Sequence, residues 1–454
     1  MTETAEAGQA TLETRVAALT DAGVRFVRVL YADLHGIPRG KEIPIGELAE
    51  AVENGVYFVE AIMAVDLRHN VVAGFEHGFQ DIVARADLGT LVQTPWEPTV
   101  AWCLADLERV TGEPYGADPR GALRRAMASW AELGCTPIIA PELEFYLCRE
   151  DASARCGFRP YEENDSHVYT AGCVADPQGL LSELFAASLD FGIRACAANH
   201  EYGRSQFEIN IKHGEGFDSA DRAFRFKALV KELAARAGLM ATFMGKPWND
   251  DEGSGFHLHL SIVDEAGENV LAAADDQEGE LSPLALQYIA GVLAHAPALM
   301  AFFNPTVNSY RRIHPEALVP TRVNWGHDNR FTVVRVPPER GAHTRVEVRI
   351  GDGAANPYLA YAAALNAGLD GVQKGLEPPA PVAGNVYELP EEAQGALLPV
   401  SFPEALDALE ADETIRAAMG EELVSTFLEI KRYEVDRYRR YVTDWDFAEY
   451  AHHL

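Results

Sequence analysis

Basic side chains are scarce in this chain of 454 residues: 38 Lys and Arg face 69 Asp and Glu, for a formal charge of -31. So acidic a surface repels nucleic-acid backbones and anionic bilayers, and neither is an expected partner. Cysteine is sparse too. Its six copies (Cys103, Cys135, Cys148, Cys156, Cys173, Cys196) form no C-x-x-C pair and mostly sit among apolar neighbours, so no disulfide staple is expected and a reducing cytoplasm fits best. The polar, acidic start MTETAEAGQATLETRV lacks the basic and apolar segments of a secretory signal. Long hydrophobic runs are missing as well: YIAGVLAHAPALMAFF is shorter than a bilayer span and holds His295 and Pro297, which predicts a buried helix in a soluble protein. Neither a G-x-x-x-x-G-K-[ST] loop nor a convincing G-x-G-x-x-G is present, which excludes P-loop and Rossmann phosphate sites.

The length exceeds one ordinary core. After a helix over LETRVAALTDAG, the segment VRFVRVLYADLHGIPRGKEIPI alternates like a strand, turns between Gly36 and Gly40, and resumes. Gly and Pro in TGEPYGADPRG mark a linker, after which Asp118 is placed to cap a helix with Pro119 at its first position. The boundary is set near Thr111, giving domains of 1–111 and 112–454. Helices are expected over LLSELFAASLDFG, ADRAFRFKALVKELAARAG and NPYLAYAAALNAGLDGVQKGL, and in the charged tail from SFPEALDAL to TDWDFAEY. No repeat or low-complexity tract is present.

Within this frame PELEFYL is peculiar. Glu142 and Glu144 fall one residue apart in an apolar, strand-like run, so both carboxylates share one face. Like charges on a half-buried strand persist only when water bathes them or a cation sits between them. Alone, this is the mark of a solvated sheet face. Three more segments repeat it: HEYGRSQFEIN carries Glu201 and Glu208, GSGFHLHLS carries His257 and His259, and TRVEVRI carries Arg345, Glu347 and Arg349. Four independent solvent faces would not all select ligand-type residues with so few lysines. Together the five glutamates and at least one histidine make an oxygen-rich set that suits Mg²⁺ or Mn²⁺, two or more per site. Paired ions of this kind bridge phosphate oxygens, so a nucleotide is expected as substrate. Arg312, Arg330, Arg335, Arg345 and Arg349 add a cluster suited to small anionic substrates.

The ordered segments VRVLYADLHG, PELEFYL, HEYGRSQFEIN, FMGKPWNDDEGSGFHLHLS, NPTVNSYRR, NRFTVVRVP and RVEVRIGDGAANPYLA, with the closing VTDW, resemble the glutamine synthetase family over nearly the whole chain. The resemblance implies an α+β fold, with a small N-terminal β-grasp domain followed by a large catalytic α/β domain. It also implies a homo-oligomer, a dodecamer of two hexameric rings with active sites between neighbouring subunits. The implied chemistry is ATP-dependent formation of γ-glutamyl phosphate from glutamate, then attack by an amine. Glu144, Glu201 and Glu208 match the ligands of one metal ion, and Glu142, His257 and Glu347 those of the ion beside the ATP phosphates. Gly253, Arg312 and Arg349 match glutamate contacts, Arg330 the arginine at the transferring phosphate, and His259, Ser261, Arg335 and Arg345 nucleotide contacts. Asp33 matches the residue that deprotonates ammonium from the adjacent subunit, and Tyr169 a tyrosine of the same pocket.

Departures from the family pattern carry the finer reading. Ammonia-using members resembling this chain have a flap glutamate six residues beyond the arginine matched by Arg312; here that position is Leu318. Losing a carboxylate weakens a cation pocket and opens apolar room for a carbon substituent. WGHDNR is similar to the γ-glutamylamine-forming branch. Glu316 is a possible substitute two residues early, Glu252 stands where asparagine is usual, and R-S replaces the common P-G in EYGRSQFE. Tyr387 resembles a tyrosine adenylylated in some relatives. The reading is a glutamate–amine ligase, with ethanolamine or a similar alkylamine first and a polyamine second. An ordinary glutamine synthetase and a catalytically silent relative are the alternatives.

Overall fold

The computed structural model describes residues 2–75, 78–154, 157–162, 167–273 and 280–454. Helix α1 (Thr2–Asp21) begins earlier than expected and leads into strands β1 (Phe26–Ala32) and β2 (Pro38–Pro44), followed by α2 (Leu48–Asn54), β3 (Val56–Val59), β4 (Asp81–Ala86), β5 (Val92–Gln93) and β6 (Val100–Arg109). Among the described residues these six strands form one sheet, ordered β2-β1-β6-β4-β3 with β5 beside β6. β1 and β6 run parallel, the other pairs antiparallel. The expected turn is shorter than its glycines suggest. Gly40 lies inside β2 opposite Leu30, where a Cβ would stand 2.2 Å from the Val29 carbonyl oxygen; close strand approach, not a turn, requires the glycine.

Asp118 caps α3 (Pro119–Ala131) as expected, accepting from the Arg120 amide at 3.0 Å. It also accepts from the Leu107 amide at 3.0 Å and so ties the helix to β6. Next come β7 (Cys135–Glu150), β8 (Phe158–Pro160), α4 (Leu180–Asp190), β9 (Ala195–His200), β10 (Gln206–Ile211), β11 (Gly214–Glu215), α5 (Gly216–Arg236), β12 (Met240–Thr242) and β13 (Gly255–Asp264). They are followed by α6 (Pro283–Phe303), β14 (Trp325–His327), β15 (Val334–Val336), β16 (Val346–Asp352) and α7 (Pro357–Lys374), then by tail helices that include Phe402–Ala411 and Glu421–Arg439. The described strands form a second, ten-stranded sheet ordered β14-β15-β16-β13-β7-β10-β9, with β8, β11 and β12 on β7.

β7 organises this sheet. From Cys135 to Phe145 its odd residues are buried and its even residues partly open. Ile139, Leu143 and Phe145 are fully buried, and α3 and α5 pack against the strand. Each such side chain contributes about 1.5–3 kcal/mol, and covering one face leaves the other for Glu142 and Glu144. The apolar helix α6 is mostly buried, against α7, β16 and Phe402–Ala411, the place its composition predicts.

Arg120, 1% exposed, joins the two sheets. Its guanidinium reaches Asp87 after β4 at 2.8 Å, Asp106 on β6 at 2.6 Å and Asp221 on α5 at 2.8 Å, while the Tyr358 hydroxyl of α7 donates to Asp221 at 2.7 Å. Arg120→Leu leaves Asp221 buried without its counter-charge and should cost about 3–5 kcal/mol, read as a lower urea midpoint. An unchanged midpoint would show that the Arg120 network adds nothing net to the hold of the first sheet on α5.

Candidate active site

Strand register assembles the site. β10 places Glu208 opposite Glu144, β13 places His257 opposite Glu142, β16 places Glu347 opposite His259, and β15 places Arg335 opposite Glu347. Because alternate residues share a face, residues from five neighbouring strands converge on the side of the sheet away from α3 and α5.

The carboxylates divide into two electrostatic groups. Glu142 is paired with imidazoles and Glu347 with guanidiniums. His259 Nε2 lies 2.9 Å and His257 Nδ1 3.3 Å from the Glu142 carboxylate. Arg335 donates to Glu347 at 2.7 Å, and Arg349 donates to it as well. Burial would raise both carboxyls, yet the imidazoles hold Glu142 well below the usual range, and Arg349 with both imidazoles brings Glu347 to about 2. Among the described residues, ligand atoms of Glu142, His259 and Glu347 lie within 4.8 Å of one another, a spacing that suits a cation. The resemblance gave this ligand role to His257, whose Nδ1 lies 3.3 Å from Glu142 and 3.7 Å from Glu347, against 2.9 and 3.9 Å for the Nε2 of His259, so both imidazoles face the carboxylate pair.

Glu144, Glu201 and Glu208 lack such partners. Burial and the Glu201 charge push Glu144 up to about 7. Burial and the other carboxylates raise Glu208 well above its ordinary value, and burial raises Glu201. Neutral amides support them: Gln206 donates to Glu144 at 2.8 Å, Asn199 to Glu201 at 2.6 Å and Asn210 to Glu208 at 2.6 Å. A Cβ at Gly255 would stand 2.9 Å from Glu144 and 3.0 Å from His257, so the cradle between the groups needs that glycine. Three crowded carboxylates held by amides alone fit a hard divalent ion. These amides were missed in the sequence, although N-x-E at 199–201 and E-x-N at 208–210 place each beside its carboxylate.

Arg312 and Arg349 are 3% and 8% exposed, and the buried Nε of each has no hydrogen-bond partner among the described residues. Burial holds the Arg312 guanidinium below its ordinary value despite the Asp352 and Glu144 charges. Gly253 packs against Arg312, where a Cβ would stand 2.8 Å from the arginine Cβ. On the other side of Glu142 a cavity of about 800 Å³ is lined by His259, Ser261, Arg345, Lys212 and His213, and Arg345 donates to His259 at 3.3 Å.

The amine end is less complete within one chain. Tyr169 is exposed; burial and then Glu201 and Glu208 raise its hydroxyl, with Arg330 opposing them. Among the described residues no contact joins Asp33 to these carboxylates. Its buried side chain accepts from the His35 and Ile37 amides, both at 2.9 Å, and from Arg39 at 2.8 Å. Leu318 is half exposed with φ 51°. The Glu316 side chain lies outside the described residues. Tyr387 donates to the Val319 carbonyl at 3.1 Å and accepts from Thr321 at 3.2 Å. The Glu252 side chain is exposed.

Residues 116–450 match the glutamine synthetase catalytic domain family. The chain belongs to the glutamine synthetase family. It is 39% identical to a glutamine synthetase of Pyrococcus abyssi (strain GE5 / Orsay) over 444 residues, which span 94% of this chain and 96% of that protein. With a glutamine synthetase of Methanococcus maripaludis it shares 35% over 450 residues, again 94% of this chain and 96% of that one. Its structure resembles that of a GmaS/ADP complex with a TM-score of 0.86 and 32% identity, covering 96% of this chain and 99% of that one. Apo GmaS gives 0.85 at the same identity and coverage. The fold is therefore the mixed α/β glutamine-synthetase type, and the protein is an ATP-dependent carbon–nitrogen ligase of a family that uses divalent metal ions.

Because Glu144 keeps its proton until about pH 7, protons and metal ions compete for the carboxylate trio. In the metal-free glutamine-synthetase fold this group's unfavourable contribution is absent below its ordinary 4.5 and complete above about 7. Mn²⁺ affinity, followed by paramagnetic resonance, should fall as pH drops through about 7, and Glu144→Gln should weaken it by ~10-fold or more. Full affinity in a folded Glu144→Gln protein would remove this residue from the metal site.

Proposed function

We propose that the protein joins the γ-carboxyl of glutamate to a small organic amine rather than to ammonia, releasing ADP and phosphate. The observation that carries this reading is Leu318: an apolar, half-exposed side chain at the flap position where ammonia-using relatives resembling the chain carry a glutamate. Ammonium must be gripped by charge before it can lose a proton, whereas an alkylamine brings apolar surface that leucine suits better. The likeness to GmaS structures supports the same branch.

In this reading Arg312, Arg349 and Gly253 hold glutamate, with its γ-carboxylate toward Glu144 and Glu208. The cavity of His259, Ser261 and Arg345, with Arg335, takes the nucleotide, and Arg330 faces the transferring phosphate. Glu144, Glu201 and Glu208 hold one divalent ion; Glu142 and Glu347, with an imidazole from His257 or His259, hold another. These ions, when bound, would neutralise phosphate charge as the γ-phosphoryl group passes to the glutamate oxygen. The amine nitrogen then attacks the acyl phosphate, which expels phosphate, and Asp33 of the partner subunit takes the proton beside Tyr169. Such sharing requires a homo-oligomer, the dodecamer of two hexameric rings, in which the β-grasp domain, residues 1–111, meets the catalytic domain, 112–454, of the next subunit.

The curated relatives named glutamine synthetase favour a second reading, ordinary ammonia use. ADP release with saturating glutamate and ATP separates the two. Ethanolamine or a similar alkylamine should outrun ammonium at equal concentration, and Leu318→Glu should shift that ratio toward ammonium by about tenfold, or ~1.4 kcal/mol. Ammonium faster than every amine would establish the second reading. Subunit sharing has its own test: inactive Asp33→Ala and Arg330→Ala proteins, mixed under conditions that exchange subunits, should regain activity, and none despite proven exchange would sink the shared site.

A further inference from the structure

A cavity of about 550 Å³ opens beside the carboxylate trio, between the segment that follows Tyr169, the first turns of α4 and the end of β9. Two residues belong to both places. Tyr169 forms part of the cavity wall and lies within electrostatic reach of Glu201 and Glu208. Asn199 lines the cavity and donates to Glu201. The wall also includes Ala171, Ala175, Leu181 and Phe185. Its ionisable residues Asp176 and His200 are already engaged. Asp176 accepts from the Tyr161 hydroxyl at 3.1 Å and from the Leu180 and Leu181 amides at 2.9 and 2.8 Å. His200 sits 2.6 Å from the Glu201 carbonyl and 3.3 Å from Glu162.

Resting on the amine-ligase reading, we infer that this cavity receives the carbon tail of the amine, and that preferred acceptors are primary monoamines with an uncharged tail of several carbons. The ammonium end has acidic company at Glu201 and Glu208, and the tail runs along alanine, leucine and phenylalanine. A second ammonium, as in a diamine or polyamine, would reach a wall whose one carboxylate among the described residues, Asp176, already accepts three hydrogen bonds, and would exchange water for weaker company. The space falls in the ordinary range for small-ligand sites and far exceeds what a methyl group fills.

Turnover of a homologous series tests this on the intact enzyme with saturating glutamate and ATP. From methylamine to butylamine, kcat/KM should rise by about fourfold per methylene, and butylamine should exceed 1,4-diaminobutane by about tenfold or more. Ala171→Phe and Ser182→Trp, both at exposed positions on the cavity wall, should flatten the chain-length series while sparing methylamine. Methylamine as the best substrate, equal use of butylamine and 1,4-diaminobutane, or an unchanged series in both folded variants would each overturn the tail cavity and leave the amine-ligase reading standing. Ammonium outrunning every amine would overturn both.

Discussion

Burial and crowding oppose the ionisation of Glu144, Glu201 and Glu208, and much of the surrounding architecture answers that constraint. Two of the three lie opposite each other on β7 and β10, and burial, with repulsion from neighbouring carboxylates that include Glu142, raises all three. The protein supplies amides rather than cations, from Gln206, Asn199 and Asn210. Amides satisfy lone pairs but leave net charge uncancelled. A lysine there would form a buried ion pair and close the site; amides fix the geometry and leave charge neutralisation to what binds. Helices α3 and α5 cover only the opposite face of β7, so the acidic face remains accessible.

A few ångströms along the same strand the solution reverses. Glu142 and Glu347 are surrounded by His257, His259, Arg335 and Arg349, and both are held low. Arg335 is itself shared with Asp328 at 2.6 Å, a residue of the WGHDNR segment, so the position of that loop and the charge state of Glu347 are coupled. One half of the face is therefore charge-paired within the chain, through Arg335 and Arg349, and the other is not. In the proposed reaction positive charge is needed around the moving phosphoryl group, and a divalent ion held by the unpaired carboxylates would add to what these arginines supply.

Period-two alternation made β7, β10, β13 and β16 legible, and with them most of the site, because the pattern is local. Register is not local. That Glu142 would face His257 and Glu347 would face Arg335 depends on strands far apart in sequence, so the sequence identified the residue set but not its pairing. The supporting amides sit within the same pattern, two residues from Glu201 and Glu208, but carry no charge and so give no like-charge signal in sequence. Gly40 reads as a turn residue in sequence because its cause, the Val29 carbonyl, lies on the facing strand. The proposed ring assembly and Asp33 role come from family likeness, since among the described residues no contact brings Asp33 to the carboxylates.

Two departures from the family pattern share a backbone conformation that side chains resist. Ser205 has φ 63° and Leu318 φ 51°, a region that costs a non-glycine residue about 1–2 kcal/mol. Ser205 is compensated: its buried Oγ accepts from the Glu162 amide at 2.7 Å, a bond that glycine could not make. Leu318 has no comparable return, since its side chain stands half in water. The loop behind it is nonetheless held, by Tyr387 bonded to Val319 and Thr321. A strained backbone, fixed from behind and presenting an apolar side chain to solvent, is unfavourable in the free chain. Apolar cover for Leu318 would offset that cost, and in the proposed reaction the first carbon of an amine substrate, unlike ammonium, would supply it.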